Sequence, residues 1–468
     1  MVFQAGTSTQ ITDKVQEILE NARPCLTKCE CKIFSKDDSS VSVTPMKIEQ
    51  MTIVQNFETA YSDVITLTIS VEANEAIVLL TNYKNLKCTL TFNRYDEHIV
   101  LQDDILPEIK QYMVVIANAL DLLKQYTKAE MTNTDNPGEK SSNGSLPSEG
   151  VMSRRITLEL QLIDEDVYIR RDRPFNFILQ NATMVEAIHY VANLLEIKNV
   201  WFRYIDNERT YDNFVIPPMQ TFATIFSYLQ EHFGVYAKGL SSYYTGGDLY
   251  IYPPFDVKTD SNYTIHLYKV QEGSYPGCPS YHTEDGSEIS IILNDKIAME
   301  NLSEKTSDEV GNYQVALRAE SIHDVGKEFN GRECKIRDNN LLSIASENNN
   351  QPQTGKVSAR YTQATNNAYT MSSMMAQTLC KILGATWISA WPFVIKPGAR
   401  VVYHSEEYDA VKVCNGIISS VTYNMQIANT VGLTGKDNIY AFSALLMVRL
   451  TQDVDPSWAI SSNLLSIN

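Results

Sequence analysis

Three cysteines near the N-terminus come closest to the residue types and spacing of a metal site. Cys25, Cys29 and Cys31 form a C-x3-C-x-C pattern, and the sequence places no histidine beside them. Structural zinc sites more often combine a Cys-x2-Cys pair with a second pair downstream, so this pattern does not favour zinc. The other cysteines are scattered singly: Cys88, Cys278, Cys334, Cys380 and Cys414. We therefore predict reduced, mostly buried thiols and no metal site.

A run of acids followed by a run of arginines is the second candidate for chemistry. The stretch IDEDVYIRRDR contains three residues of each kind: Asp164, Glu165, Asp166, Arg170, Arg171 and Arg173. Paired carboxylates catalyse glycoside cleavage, which makes the run worth testing as an acid–base pair. Neighbouring opposite charges are far more common as a solvated surface or as part of a strand pairing. We predict a structural role for this run.

The sequence contains none of the common catalytic or nucleotide-binding motifs. There is no GxSxG, no HExxH and no dinucleotide fingerprint, and Gly435-Lys436 lacks the upstream glycine of a phosphate loop. The seven histidines share no ligand spacing: His98, His189, His232, His266, His282, His323 and His404. We therefore predict no enzyme, with no catalytic residue, no cofactor or cofactor-binding residue, and no metal ligand.

Composition and charge restrict the class of protein further. With 468 residues, 44% of them hydrophobic, the chain is long enough for two to four folded domains. The formal net charge of −17 argues against general binding to nucleic-acid phosphates, which depends on clusters of Lys and Arg. No run of 18 apolar residues is present, and the first residues lack an apolar core. We expect synthesis in the cytoplasm and no membrane insertion.

The elements that must position any site are arranged around residues 175–254. The apolar spacing from Met184 to Leu195 predicts a helix with one buried stripe, and Thr183 with Glu186 has the spacing of a capping box. This helix is the best defined local element of the sequence.

A second helix and a hairpin are predicted directly after it. The helix follows Pro217-Pro218 and ends at Gly234, a residue suited to a left-handed C-terminal cap. Val235–Ala237 and Leu249–Pro253 then predict two strands whose turn is Gly246-Gly247.

Alternation of apolar residues with period two predicts β structure in residues 29–92. In Val64–Val71 the apolar side chains share one face and the hydroxyl side chains share the other, so we expect the apolar face in the core. A short helix is predicted for Asn74–Leu80, and a docking helix for Ile11–Ala22.

Asp103–Thr127 has the spacing of a heptad seam. Its apolar residues lie 4, 3, 4 and 3 positions apart: Ile109, Met113, Ile116, Leu120 and Leu123. We predict a long helix that packs against its own sheet, and an intermolecular coiled coil is the alternative.

The rest of the chain alternates between loops and strands. Residues 128–150 are polar and rich in Asn, Ser and Gly, which predicts a linker, and 339–365 predict a mobile connection. A methionine-rich helix is predicted from Met371 to Gly384. Four or five strands follow, with a turn at Lys396-Pro397-Gly398.

Several of these stretches resemble the central baseplate hub proteins of contractile-tailed bacteriophages, which are related to the hub part of type VI secretion spikes. The resemblance is carried by "ILQNATMVEAIHYVANLLE", "IPPMQTFATIFSYLQEHFGVYAKG" and "GGDLYIYPPF" in the middle of the chain. It is also carried by "YSDVITLTISVEANEAIVLLTNYKNLKCTLTF" and by the strands around the Pro-Gly turn near the C-terminus. The match is one of pattern and includes no catalytic residue.

The resemblance implies an α+β multidomain fold, in which two tube-like antiparallel β-barrel or sandwich domains flank an α+β module. The implied segments are an N-terminal helical extension (1–25), a first tube-like β domain with a long helix (26–127), a flexible linker (128–154), the α+β hub module (155–255), an acidic β-rich domain with mobile loops (256–365) and a second tube-like β domain (366–468).

The resemblance also implies a structural virion protein of the tail baseplate. Two tube-like domains per chain would let a homotrimer form a pseudo-sixfold ring that joins the hexameric tail tube to the threefold central spike. Expected partners are the tail tube or tube-initiator protein, the spike, other baseplate proteins and the tape measure protein. DNA would pass through the lumen during ejection without specific binding.

Two other classes of function stay open. Some phage hubs carry a cell-wall hydrolase, for which residues 256–365 offer room. A receptor-binding or adhesin tail protein is the third class, because tyrosine is frequent, with 26 residues.

Overall fold

The described part of the chain is mostly β structure. The computed structural model describes residues 8–21, 26–37, 40–95, 108–124, 155–256, 262–269, 280–282, 287–293, 298–300, 334–338, 341–345, 380–407, 410–427 and 439–451. Its strands are β1 (Leu26–Ser35), β2 (Ser42–Val43), β3 (Lys47–Asn56), β4 (Val64–Glu72), β5 (Leu86–Tyr95), β6 (Glu108–Val115), β7 (Arg155–Asp164), β8 (Phe175–Thr183), β9 (Asn199–Phe202), β10 (Thr210–Gln220), β11 (Ser241–Thr245), β12 (Asp248–Tyr252), β13 (Thr264–Lys269), β14 (Ser280–His282), β15 (Glu288–Leu293), β16 (Ala298–Glu300), β17 (Cys334–Asp338), β18 (Leu341–Ala345), β19 (Cys380–Ile388), β20 (Arg400–Glu407), β21 (Ala410–Ile427) and β22 (Ile439–Thr451). Its helices include α1 (Ser8–Asn21), α2 (Ala73–Thr81), α3 (Glu165–Arg170), α4 (Met184–Leu194) and α5 (Phe222–His232), and residues 119–124 are also helical.

Eight antiparallel strands close into a ring. The order is β21, β3, β4, β7, β6, β5, β1 and β22, and β22 pairs back with β21. Strands distant in sequence complete the ring, with Thr27 opposite Tyr440 and Asn56 opposite Ser420. Closure removes most free strand edges and encloses a core. The apolar face predicted for β4 is confirmed, because its Ile and Leu residues are fully buried in that core.

The β21–β22 hairpin also belongs to a second group of strands. β20, β13 and β15 continue the sheet beyond β21, and β19 continues it beyond β22. β13 is parallel to both of its neighbours, so the sheet is mixed. The docking helix predicted near the N-terminus is confirmed as α1, whose Val15 and Ile18 pack on Tyr268 and Ile292. The segments expected to form two tube-like domains thus share one sheet, and the expected boundaries stay a prediction.

Residues 175–252 form a module with a core of its own. A ribbon of β8 and β10, helices α4 and α5, and a sheet ordered β11, β12, β9 enclose it. The capping box is confirmed, because the Glu186 N–H donates to Thr183 Oγ1 at 3.3 Å and the Thr183 N–H donates to Glu186 Oε2 at 2.8 Å. The Gly-Gly turn is confirmed, but the first hairpin strand is Ser241–Thr245, so the strand predicted at Val235–Ala237 is wrong.

Two predicted helices are wrong over most of the residues that the structure describes. Glu108–Val115 form strand β6 between β5 and β7, although residues 119–124 farther along the predicted heptad seam are helical. Ile109, which a core helix would bury, is 60% exposed. Residues 380–384 lie in β19, and the rest of the predicted methionine-rich helix lies outside the described residues. Main-chain pairing with neighbouring strands overrides a helical spacing of apolar residues.

The linker predicted for residues 128–150 lies outside the described residues. The connection predicted for 339–365 is described only at 341–345, where it forms β18 paired with β17 rather than an unstructured loop.

Candidate functional site

Three of the described cysteines, Cys29, Cys31 and Cys88, are buried thiols inside the ring. Cys29 and Cys31 point inward from β1, and Cys31 Sγ lies 3.5 Å from Cys88 Sγ on β5. Burial raises the pKa of Cys29 well above its usual value, and the contact with Cys31 together with burial does the same for the pKa of Cys88. A protonated thiol is a poor nucleophile and a poor metal ligand. Cys25 lies outside the described residues.

The acid and arginine run forms a helix cap and ion pairs. Asp164 Oδ1 accepts from the N–H groups of Asp166, at 2.9 Å, and Val167, at 3.2 Å, and so caps α3. Arg170 pairs with Asp166 at 3.0 Å, and Lys87 pairs with Glu165 at 2.5 Å. Burial raises the pKa of Asp164 to about 6. The carboxylates are thus occupied by structural partners.

Two histidines that are far apart in sequence are neighbours in the fold. His266 on β13 and His404 on β20 come together because these strands are parallel and adjacent, and His266 Nδ1 lies 3.3 Å from His404 Nε2. The Tyr268 ring stacks on His404 with centroids 4.6 Å apart. Burial lowers the pKa of both imidazoles, that of His404 to about 4. No spacing in the sequence predicted this pair.

Within the described residues, no group of three or more His, Cys, Asp or Glu residues lies close enough to hold a metal ion. The same part of the chain contains no helix long and apolar enough to cross a membrane.

A buried carboxylate joins the ring to the α+β module. Asp63, next to β4, accepts hydrogen bonds from Gln55 Nε2 at 2.8 Å and from the Tyr243 hydroxyl at 2.7 Å. Thr245 Oγ1 donates to its other oxygen at 3.1 Å. Because Tyr243 and Thr245 belong to β11, these bonds fix the hairpin of the module against the ring. Such contacts position the ring and the module relative to each other.

An open groove with a volume of about 940 Å³ lies beside β1. Its walls are the outer face of β1, the facing residues of β5 and the segment from β2 to the start of β3. Four lysines and one glutamate line it: Lys28, Glu30, Lys32, Lys36 and Lys87. Hydroxyl side chains add hydrogen-bond donors: Ser42, Thr44, Thr89 and Thr91. We name this feature the β1 groove.

The lysines share one face because they occupy alternate positions of an extended segment. Side chains two residues apart lie on the same side of a strand, so Lys28, Glu30 and Lys32 all point outward from β1 while the cysteines point inward. Sequence reasoning overlooked this row, although the K-x-E-x-K spacing was visible once β1 was taken as a strand. The net charge of −17 on the whole chain gives no sign of this local row of positive charge.

Comparison with families of known sequences gives a match over more than half of the chain. Residues 26–271 match the model of the bacteriophage PBS1 gene 109 protein family. The chain belongs to this family. The match begins with the first residue of β1 and ends just after β13, so the β1 groove, the Asp63 junction and the α+β module of this family member all lie inside it.

Comparison with curated proteins gives no match. Among solved structures, this family member is similar to the 43 kDa tail protein of prophage MuSo2 from Shewanella oneidensis, with 8% identity, 90% of this chain and 97% of that chain covered, and a TM-score of 0.38. It is also similar to a chain of the lidless PdpA-VgrG complex, with 10% identity and a TM-score of 0.39, and to one of the lidded Francisella complex, with 8% identity and a TM-score of 0.40. The match to the lidless complex covers 92% of this chain and 65% of that chain. The match to the lidded complex covers 96% of this chain and 56% of that chain.

Proposed function

We propose that the chain is a structural tail protein that forms a trimeric, pseudo-sixfold baseplate hub between the tail tube and the central spike. Membership of a bacteriophage protein family supports a role in the virus particle. The hub role rests on the resemblance of the sequence to baseplate hubs and on the arrangement of the strands.

One observation carries the proposal. The described sheet contains two groups of strands: β3, β4, β7, β6, β5 and β1, with β2 beside β1, from the N-terminal part, and β14, β15, β13, β20, β21, β22, β19 and β16 from the C-terminal part. They are joined side by side, because β21 pairs with β3 and β22 pairs with β1. A chain with two such units occupies two of six positions around an axis, so three copies close the ring.

Exposed apolar side chains on the module support assembly. Ile178 of β8 and Val215 of β10 lie directly opposite each other and are 63% and 43% exposed. Trp201, on the edge strand β9, is 56% exposed. Aromatic and aliphatic groups in water at strand edges favour burial against another protein.

The test is the mass of the purified full-length chain in solution, measured by native mass spectrometry with and without the tail tube protein. We expect three copies per particle in at least one of these conditions. A stable dimer or tetramer that persists when the tube protein is added would contradict the hub proposal.

The proposal includes the absence of enzymatic activity, which distinguishes it from a hub-associated hydrolase. A zymogram on bacterial cell walls tests this directly, with a known muramidase as the positive control. A cleared band at the mass of this chain would replace the purely structural role with the hydrolase alternative.

A further inference from the structure

We propose that the β1 groove binds an extended acidic segment of a neighbouring protein, which adds a strand between β1 and β3. This inference goes beyond the hub role and does not depend on the number of copies in the assembly.

The main chain provides the first argument. β1 pairs with β5 along its whole length, but on its other side it pairs with β22 only at residues 27–28 and with β2 only at residues 33–34. β3 pairs with β21 only at residues 52–56. Among the described residues, the edges of 29–32 and 47–51 therefore lack a strand partner where they border the groove. One carbonyl on this edge, that of Ile48, accepts from the Tyr440 hydroxyl at 3.0 Å.

An unpaired strand edge is a template for another extended chain. Its N–H and C=O groups form main-chain hydrogen bonds with an incoming peptide, and side-chain contacts then decide which peptide binds. The groove volume of about 940 Å³ is large enough to hold a segment of several residues.

Charge selects the kind of peptide. Lys28 is paired with Glu30 at 2.8 Å, and Lys87 is paired with Glu165, but within the described residues Lys32 and Lys36 form no ion pair. Residues two apart on a strand are separated by about 6.5–7 Å, and an extended peptide has the same repeat. A segment with Glu or Asp at alternate positions therefore places its carboxylates over the lysine row.

A nucleic acid fits this site less well than a peptide does. Its phosphates would satisfy the lysines, but its backbone offers no N–H groups to the carbonyls of the open edges. The net charge of −17 on the chain also repels a long polyanion. A short acidic segment interacts mainly with the nearby lysines, because salt screens the more distant charges.

The test uses the full-length chain and a fluorescein-labelled peptide of four Val-Glu repeats, with binding measured by fluorescence anisotropy at 150 mM salt. We expect saturable binding that is at least about tenfold weaker in the double variant Lys32→Gln, Lys36→Gln, because two charge-assisted hydrogen bonds are lost. The matched control is Lys14→Gln, Lys198→Gln, which removes the same charge from exposed positions that do not line the groove and should bind like the unmodified chain.

Hydrogen exchange distinguishes strand addition from simple attraction of charges. On peptide binding, we expect slower amide exchange in residues 29–32 and 47–51, since these edges gain main-chain hydrogen bonds. Three results would overturn the proposal: no binding of the Val-Glu peptide, binding without protection of either edge, or tighter binding of an oligothymidylate of equal charge than of the peptide.

Discussion

At the scale of single residues, a buried ion pair joins the β3–β4 loop to β22. Arg449 of β22 donates to both carboxylate oxygens of Glu58, with Nη2 at 2.6 Å from Oε2, and its guanidinium lies 4.9 Å from the centre of the Phe255 ring. Both side chains are at least 86% buried. Because β22 is one of the ring strands, this pair helps to hold the ring closed.

We predict that Glu58→Gln lowers the free energy of unfolding by about 3–5 kcal/mol, because it leaves the Arg449 charge buried without a counter-charge. Urea denaturation followed by circular dichroism measures this loss. Glu17→Gln is the control, since Glu17 pairs with Lys14 on the exposed surface of α1 and its loss should have little effect. If Glu58→Gln and Glu17→Gln behave alike, the pair has no role in stability.

The buried histidine pair makes stability depend on pH. The pKa of His404 is lowered to about 4 in the fold from 6.5, so the unfolded chain binds a proton first as the pH falls. The contribution of His404 to the free energy of unfolding is therefore fully present above pH 6.5 and is lost as the pH falls from 6.5 to 4. Asp164 acts in the opposite direction, because its raised pKa removes stability as the pH rises from 3.8 to about 6.

We predict that His404→Gln reduces the loss of stability between pH 6.5 and 4, relative to the unmodified chain. The slope that one proton contributes is at most about 1.4 kcal/mol per pH unit. Denaturation midpoints at several pH values give the difference, and Asp164→Asn, which retains an oxygen for the helix cap, should change the slope with the opposite sign. An unchanged pH dependence of stability in His404→Gln would show that His404 does not cause the loss of stability between pH 6.5 and 4.

At the scale of elements, the buried side chain of Gln230 bonds three main-chain groups in the turn after α5. Gln230 Nε2 donates to the carbonyl of Tyr236 at 2.8 Å, and Gln230 Oε1 accepts from the N–H groups of Val235 at 3.0 Å and Tyr236 at 3.1 Å. Gly234, at φ +77°, lets the chain leave the helix in the left-handed conformation. These contacts explain why Val235–Ala237 form a turn instead of the predicted strand.

We predict that Gln230→Leu lowers the free energy of unfolding by about 2–4 kcal/mol. The substitution retains the volume but leaves buried main-chain groups without partners. Thermal and urea denaturation measure the effect, with Gln16→Leu on exposed α1 as the control. A loss no larger than in that control would show that water replaces the side-chain bonds.

At the scale of the whole molecule, the chain is organised by pairings between its ends. β1 and β3 contact β22 and β21, so the first and last described strands belong to one sheet. In the proposed trimer, the lysine row should face a neighbouring protein rather than the channel, because unpaired lysines in a DNA conduit would retain phosphates. A trimer structure with the lysine row around an open axial channel would contradict the expectation that DNA passes through that channel.

We predict that deletion of Thr132–Ser148 leaves the fold and the number of copies unchanged. The segment is polar, and the entropy of closing a loop changes slowly with its length. Soluble yield, melting temperature and native mass of the deletion variant are compared with those of a variant carrying a Gly-Ser segment of equal length. Loss of soluble protein in the deletion alone would show that the segment is a structural arm.

The sequence by itself determined the elements whose signals are local. The capping box of Thr183 and Glu186, the short helix near residue 74 and the alternation of β4 depend on residues within a few positions of one another. The burial of Cys29, Cys31, Cys88 and Cys380 also followed, because thiols favour apolar surroundings, whereas Cys414 is only partly buried.

Only the tertiary structure decided which strands meet. β6 has the spacing of a helix and became a strand because β5 and β7 both offer it main-chain partners. The His266–His404 pair and the closure of the ring join residues more than a hundred positions apart, for which no local pattern exists. The β1 groove combines both levels, since alternation places its lysines on one face while the edges beside them depend on where distant strands end their pairing.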